Sequence, residues 1–304
     1  MPLVTLENDR LRLSVLPEAG ASIAELSSRI DGAWTQIMRP TPPEAIESRN
    51  SSDMASFVLA PYSNRLRDGR FVFEGREYVL RPNTADGHTI HGDVRKRRWQ
   101  VVATEPEHAR FAFESRSFSD LNFPFPFDVD LTFALAADRL ETQAILRNTG
   151  DAPMPAGIGF HPYFRRSLGP EGEAEAVEIE ARVGGAYPEL LPKTAARPIE
   201  PREDFSRSRP IGDTDLDTCF AGWDGRARIT WPRSGVVAEI DADAPLRHLI
   251  LYTPPGKPFF AVEPVTNAND GFNLFAKGIP DSGVEVIGPG ETLSVRFRIR
   301  IVES

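Results

Sequence analysis

Apolar and polar residues alternate with a period of two along most of this chain. Leu11, Leu13 and Val15 alternate with Arg10, Arg12 and Ser14. Phe127, Val129, Leu131, Phe133 and Leu135 alternate with Asp128, Asp130 and Thr132, and Leu293, Val295, Phe297, Ile299 and Ile301 with Ser294, Arg296, Arg298 and Arg300. Successive side chains of a strand point to opposite faces, so each run predicts a half-buried strand. In FVFEGREYVL (71–80), Phe71 and Phe73 are mirrored by Tyr78 and Leu80 about a turn containing Gly75, which predicts an antiparallel hairpin. Helical periods are scarce, and 27 prolines and 23 glycines interrupt the chain too often to allow many long helices. Residues 18–30 fit either a helix or, because of Gly20, a strand and turn. The Pro- and charge-rich segment 192–210 has strands on both sides and predicts a long surface loop rather than a linker. The expected architecture is one domain over residues 1–304, all-β, a large antiparallel β-sandwich.

Composition narrows the partner more than the fold. The values of 40% apolar and 26% charged residues are ordinary for a globular chain. A net charge of −9 argues against nucleic acid, whose phosphates demand basic surface, and points to a small molecule. The start, MPLVTLENDRLRLSV, has alternation and acidic residues where a signal peptide needs a continuous apolar region, and no segment is apolar enough to predict a membrane span. A cytoplasmic location is the default expectation. The single cysteine, Cys219, excludes an intrachain disulfide and any cysteine-built cluster.

Four stretches combine potentially reactive side chains with residues that fix the backbone: NRLRDGRF (64–71), HTIHGD (88–93), GFHPYF (159–164) and AVEPVTNANDGFN (261–273). His161 precedes Pro162 and Glu263 precedes Pro264, and a residue before proline is held extended. GFHPYF therefore predicts a strand that ends on a presented histidine. Gly157 and Gly159 beside it predict a bulge or a close approach to the backbone. Glu263 closes an apolar run, Phe259 to Val262, so it is either a rim carboxylate paired with an arginine or a poised general base. His91 lies three residues after His88, but no acidic cluster, cysteine or HExxH pattern completes a metal site, and no metal or cofactor is expected. Arg65 is a surface cation or a planar donor fork for hydroxyls. Asp217 is a turn former unless its place just before Cys219 and Phe220 gives it another role. Arg95, Lys96, Arg97 and Arg98 fit a solvated turn, with phosphate binding as the alternative.

In this order and spacing the motifs resemble the aldose 1-epimerase (galactose mutarotase) family over nearly the whole chain. The matching pieces are Asn64-Arg65 ahead of Gly69-Arg70-Phe71, His91-Gly92, the block Gly159 to Phe164, Asp217 before Phe220, and Glu263 to Thr266 with Asn273 following. The resemblance implies a β-sandwich with an open sugar cleft and no cofactor. It further implies Glu263 as general base, His161 as general acid and His91 as its helper, with Asn64, Arg65 and Asp217 holding sugar hydroxyls. A glutamine that the family often carries in the strand before the glutamate is absent from LILYTPPG. The implied reaction opens an aldose ring to the aldehyde, lets C1–C2 rotate and closes it on the other face, with acid and base expected on opposite sides of the sugar. A nearby Glu263 carboxylate is expected to favour protonated His161. The Glu-Pro-x-Thr form is nearer to the enzymes of free sugars. Hexose-6-phosphate 1-epimerases and a noncatalytic carbohydrate-binding module are the alternatives.

Overall fold

The computed structural model describes residues 3–169 and 175–303. Two large antiparallel sheets carry the architecture. One has nine strands, in the order Gln100–Glu105, His108–Glu114, Phe127–Ala136, Arg139–Asn148, Thr292–Glu303, Val236–Ala242, Arg226–Trp231, Glu178–Ala181 and Arg209–Pro210. Its central strands are the ones read from alternation: along Phe127–Ala136 every second residue is buried. The other sheet has the order Gly185–Ala186, Asp217–Ala221, His248–Tyr252, Phe259–Val265, Gly159–Phe160 and Val58–Leu59, and Tyr163–Arg165 also pairs with Phe259–Val265. The two sheets meet through aromatic side chains. Phe160 of the seven-stranded sheet packs on Phe297 of the nine-stranded one with ring centroids 4.5 Å apart, and Phe164 faces Trp231 at 6.4 Å.

The N-terminal residues form a four-stranded sheet ending in Ser22–Ile30 and Ala33–Gln36. Residues 18–30 thus resolve as a short 3-10 turn followed by a strand, with Gly20 in the left-handed region at φ 75°. An alanine there would press its Cβ onto the Arg95 backbone, which no helix requires. The hairpin predicted at 71–80 pairs Phe71 with Tyr78, while Phe73 meets Arg76 and Leu80 falls just past the last pair. Segment 192–210 is less of a free loop than expected. Arg197 bridges to Ala186, Arg209–Pro210 adds an edge to the nine-stranded sheet, and Phe205 is buried. Among the described residues there are two α-helices, Pro43–Ser48 and Gly271–Ala276.

Candidate active site

Strand parity sets the site on the outer face of the seven-stranded sheet. In Phe259–Val265, Phe260 and Val262 join the main core, and Ala261 and Val265 lie in a second cluster with Ile250, Cys219, Leu59 and Tyr163. Glu263 shares the parity of Ala261 and Val265. Opposite this strand, Gly159 pairs with Val265 and Tyr163 with Ala261. The register therefore runs through the break and sets His161 across from Glu263. Neither Pro162 nor Pro264 has an N–H to donate, so the ladder opens at this one place. GFHPYF does not end a strand, as its sequence suggests; it interrupts one for two residues and resumes at Tyr163. The close approach signalled by the glycines is made by protein, since a Cβ at Gly157 would fall 2.0 Å from Asn267 Oδ1 and one at Gly159 2.6 Å from Val265.

His161 Nε2 lies 3.2 Å from Glu263 Oε1 and 3.4 Å from the Tyr163 hydroxyl. Both members of the pair are buried, with 6% and 2% of their surface exposed. Glu263 Oε2 and His161 Nδ1 find no hydrogen-bond partner among the described residues. Buried polar atoms are normally satisfied, so these two are open to a further hydrogen bond. His161 and Glu263 are thus in direct contact, a departure from the expectation that the two lie on opposite sides of the sugar.

Burial raises the Glu263 carboxyl well above its usual range; Asp217 adds to the rise and Arg65 opposes it. Burial also lowers His161 well below the ordinary imidazole value, and Arg39 and Arg95 act in the same direction. The shift of His161 thus runs against the expectation that Glu263 holds it as a cation: burial disfavours the charged form of each partner, and the two guanidinium groups further disfavour a charged imidazole. The pair holds one proton between its two members.

Around it, Asn64 and His91 lock each other. The His91 N–H donates to the Asn64 carbonyl (2.9 Å), and the Asn64 N–H donates to His91 Nδ1 (3.3 Å), which leaves the His91 proton on Nε2. Both residues are left-handed, at φ 53° and 64°. The His91 ring meets His161 edge-on at 5.3 Å, and burial lowers its pKa. Asn64 Oδ1 accepts from the Arg65 N–H at 2.8 Å, a contact that fixes the backbone under Arg65. Arg65 Nη1 stands 4.0 Å from Asp217 Oδ2. His88 turns elsewhere, its Nδ1 accepting from the Asp68 N–H at 3.0 Å, and among the described residues no three His, Cys, Asp or Glu side chains gather to hold a metal.

Sequence reasoning missed Tyr163 and Tyr252 as neighbours of the pair. With Ala261 and the expected Asp217 they form one row across the sheet, next to the row His161, Glu263, Ile250, Cys219. Tyr163 follows His161 by two residues, a spacing that could have marked it. Ile250 stands directly opposite Glu263, and hydrocarbon there helps to desolvate the carboxyl. The basic run after His91 is only partly the solvated turn expected of it. Arg98 is exposed and pairs with Glu18, but Arg95 is 5% exposed.

The family model for aldose 1-epimerase matches residues 2–300, and the chain belongs to that family. An uncharacterised Escherichia coli K12 protein, YphB, is 29% identical over 99% of both chains. The aldose 1-epimerase of the same organism is 29% identical over 53% of this chain and 47% of its own length. A solved Escherichia coli K12 structure described as a candidate aldose 1-epimerase superposes with a TM-score of 0.85 at 27% identity, covering 100% of this chain and 99% of the other. A Caenorhabditis elegans homologue of the galactose mutarotase and aldose epimerase fold gives 0.83 at 19% identity, over 99% of each, and shows the same fold. The all-β, mutarotase-like architecture expected from the sequence is the one found.

Proposed function

We propose that this protein is an aldose 1-epimerase, interconverting the α and β anomers of an aldose whose reducing end is free. The observation that carries the reading is the buried His161–Glu263 pair, 3.2 Å apart with an unsatisfied atom on each partner, set opposite one another by sheet register. Substrate entering beside the pair draws out its ionic form, in which Glu263 is the carboxylate and His161 carries the proton. Glu263 takes the proton of the anomeric hydroxyl as His161 gives one to the ring oxygen. The C1–O5 bond breaks, C1 becomes the aldehyde carbon, rotation about C1–C2 exposes its other face, and closure returns both protons. The proton count of the pair is the same before and after. His91, fixed as its Nε2–H tautomer and packed against the His161 ring, keeps that ring in place. Arg65 and Asp217 offer donor and acceptor to hydroxyls on the Glu263 side. Proton transfer alone accounts for the reaction.

The test is anomerisation of a freshly dissolved single anomer, followed by polarimetry or by NMR exchange between anomeric signals. Turnover above the spontaneous rate by wild type and its loss in Glu263→Gln support the reading. Wild type at the spontaneous rate with neutral and charged sugars alike would remove it.

A further inference from the structure

The chain that follows Glu263 turns back to grip the segment that carries Arg65. Asn267 holds Ser63 twice: its Oδ1 accepts from the Ser63 N–H at 3.0 Å, and its carbonyl accepts from the Ser63 hydroxyl at 2.8 Å. Asp270 holds the residues beyond. Its N–H donates to the Arg65 carbonyl at 2.7 Å, and its Oδ1 accepts from the Arg67 N–H at 3.0 Å and from the Asn273 amide at 2.7 Å. Asn273 is aimed by a second bond, from its amide to the Arg70 carbonyl at 2.8 Å. The Arg65 backbone is thereby gripped on both sides, by Asn64 Oδ1 at its N–H and by Asp270 at its carbonyl.

This place is costly for Asp270. It is 1% exposed and left-handed, at φ 53°, a conformation uncommon for a residue other than glycine. Burial raises its carboxyl above the usual range, against the bonds from Arg67 and Asn273 and the charges of Arg67 and Lys277. Arg67 does not close on it: Nε stands 3.7 Å from Oδ2, and Nη2 donates to the Leu191 carbonyl instead. A glycine would take the same φ without strain and without a carboxylate to desolvate. Asn64 and His91, at φ 53° and 64°, carry the same strain and are bonded to each other beside the same arginine. Such strain persists where the surroundings over-determine it, and here three linked residues gather it around one side chain.

We propose that Asp270 is a positioning residue for Arg65: through its Oδ1 it fixes the Arg65 backbone against the strand of Glu263, and so sets where a sugar hydroxyl held by the guanidinium presents C1 to the carboxylate. The effect on rate rests on the epimerase reading; the placing of Arg65 rests on the bonds alone. Misplacing an orienting group slows a reaction without altering its chemistry.

Two variants separate acceptor from backbone. Asp270→Asn keeps an oxygen for Arg67 and Asn273, whereas Asp270→Gly keeps the φ and removes the acceptor. The first readout needs no turnover. Arg65 Nε is buried without a hydrogen-bond partner among the described residues, and the exchange of its proton with water, followed by NMR, reports how firmly the side chain is held. Exchange is expected to quicken about tenfold or more in Asp270→Gly and to stay within about threefold of wild type in Asp270→Asn. The second readout is kcat/KM for glucose anomerisation, with Arg65 present and in Arg65→Gln. Asp270→Gly should lower it about tenfold with Arg65 present and less than about threefold in Arg65→Gln, because residues that act through one contact are not additive. An equal loss in both backgrounds, unchanged Arg65 exchange in Asp270→Gly, or equal damage from the two substitutions would overturn the proposal. Asn273→Ala, at a half-buried position, removes the donor that aims Asp270 and answers by the same readouts should Asp270→Gly fail to fold. If wild type does not turn glucose over, the epimerase reading is what suffers, and the Arg65 exchange alone decides.

Discussion

Replacing Glu263 by glutamine removes one function and leaves the shape. The new side chain can donate from its amide to His161 Nε2 across the present 3.2 Å contact and keep its carbonyl where Oε2 now has no partner. The contact with the imidazole survives, but the proton acceptor is gone. General base catalysis contributes about a hundred- to ten-thousand-fold, about 3–5 kcal/mol of barrier, and kcat is expected to fall by that factor with sugar affinity changed only a few-fold. Stability moves the other way. Because the Glu263 pKa is raised by folding, its stabilising contribution is fully present below the unfolded value of 4.5 and is lost as pH rises through the raised folded value. An amide does not titrate, so the thermal midpoint of Glu263→Gln should fall less than that of wild type on the alkaline side. NMR exchange between anomers gives the rate and a thermal melt over a pH series gives the stability. A variant that kept more than a tenth of wild-type kcat would refute the assignment of Glu263 as base, and parallel pH–stability curves would refute its burial-raised pKa.

The remaining predictions concern the neighbours of that residue. His161→Asn should lower turnover about a hundredfold or more while staying folded; a variant at near wild-type rate would move the acid to His91. In wild type, protonation of the lowered His161 ends the activity on the acid side, so the acid limb of kcat/KM should lie below pH 6.5, with the alkaline limb marking loss of the proton the pair shares; an acid limb at or above 6.5 would contradict the burial argument. Gly92→Ala should cost more than about 2 kcal/mol and depress turnover through His91, because Gly92 has φ 65° and its added Cβ would fall 1.8 Å from the Ala60 carbonyl oxygen; a denaturant melt matching wild type would count against it. Prolonged chelation should leave the anomerisation rate unchanged, since the chemistry is proton transfer between Glu263, His161 and the sugar; a loss restored by a divalent ion would overturn that mechanism.

Local pattern determined much of this protein. Period-two alternation located the central strands because a strand with one buried face must alternate, and Pro162 and Pro264 marked the two backbone positions where the ladder opens because proline cannot donate to it. Even the pairing of His161 with Glu263 follows from two short motifs once their strands are known to be neighbours. That adjacency is a long-range fact. Positions 161 and 263 are joined by a register running from Gly159–Val265 to Tyr163–Ala261, which no local propensity encodes. Tertiary structure alone also set the direction in which the pair is shifted, since burial raises Glu263 and lowers His161, and Arg39 and Arg95 lower His161 further, against what proximity of a carboxylate suggests. Arg95 shows the limit most plainly. Within the run from Arg95 to Arg98 it has the composition of a solvated turn, yet folding places it against Phe57 and Ser52 while Arg98 remains in water. Sequence specifies which residues are charged; the packing of distant segments decides which of those charges lose their water.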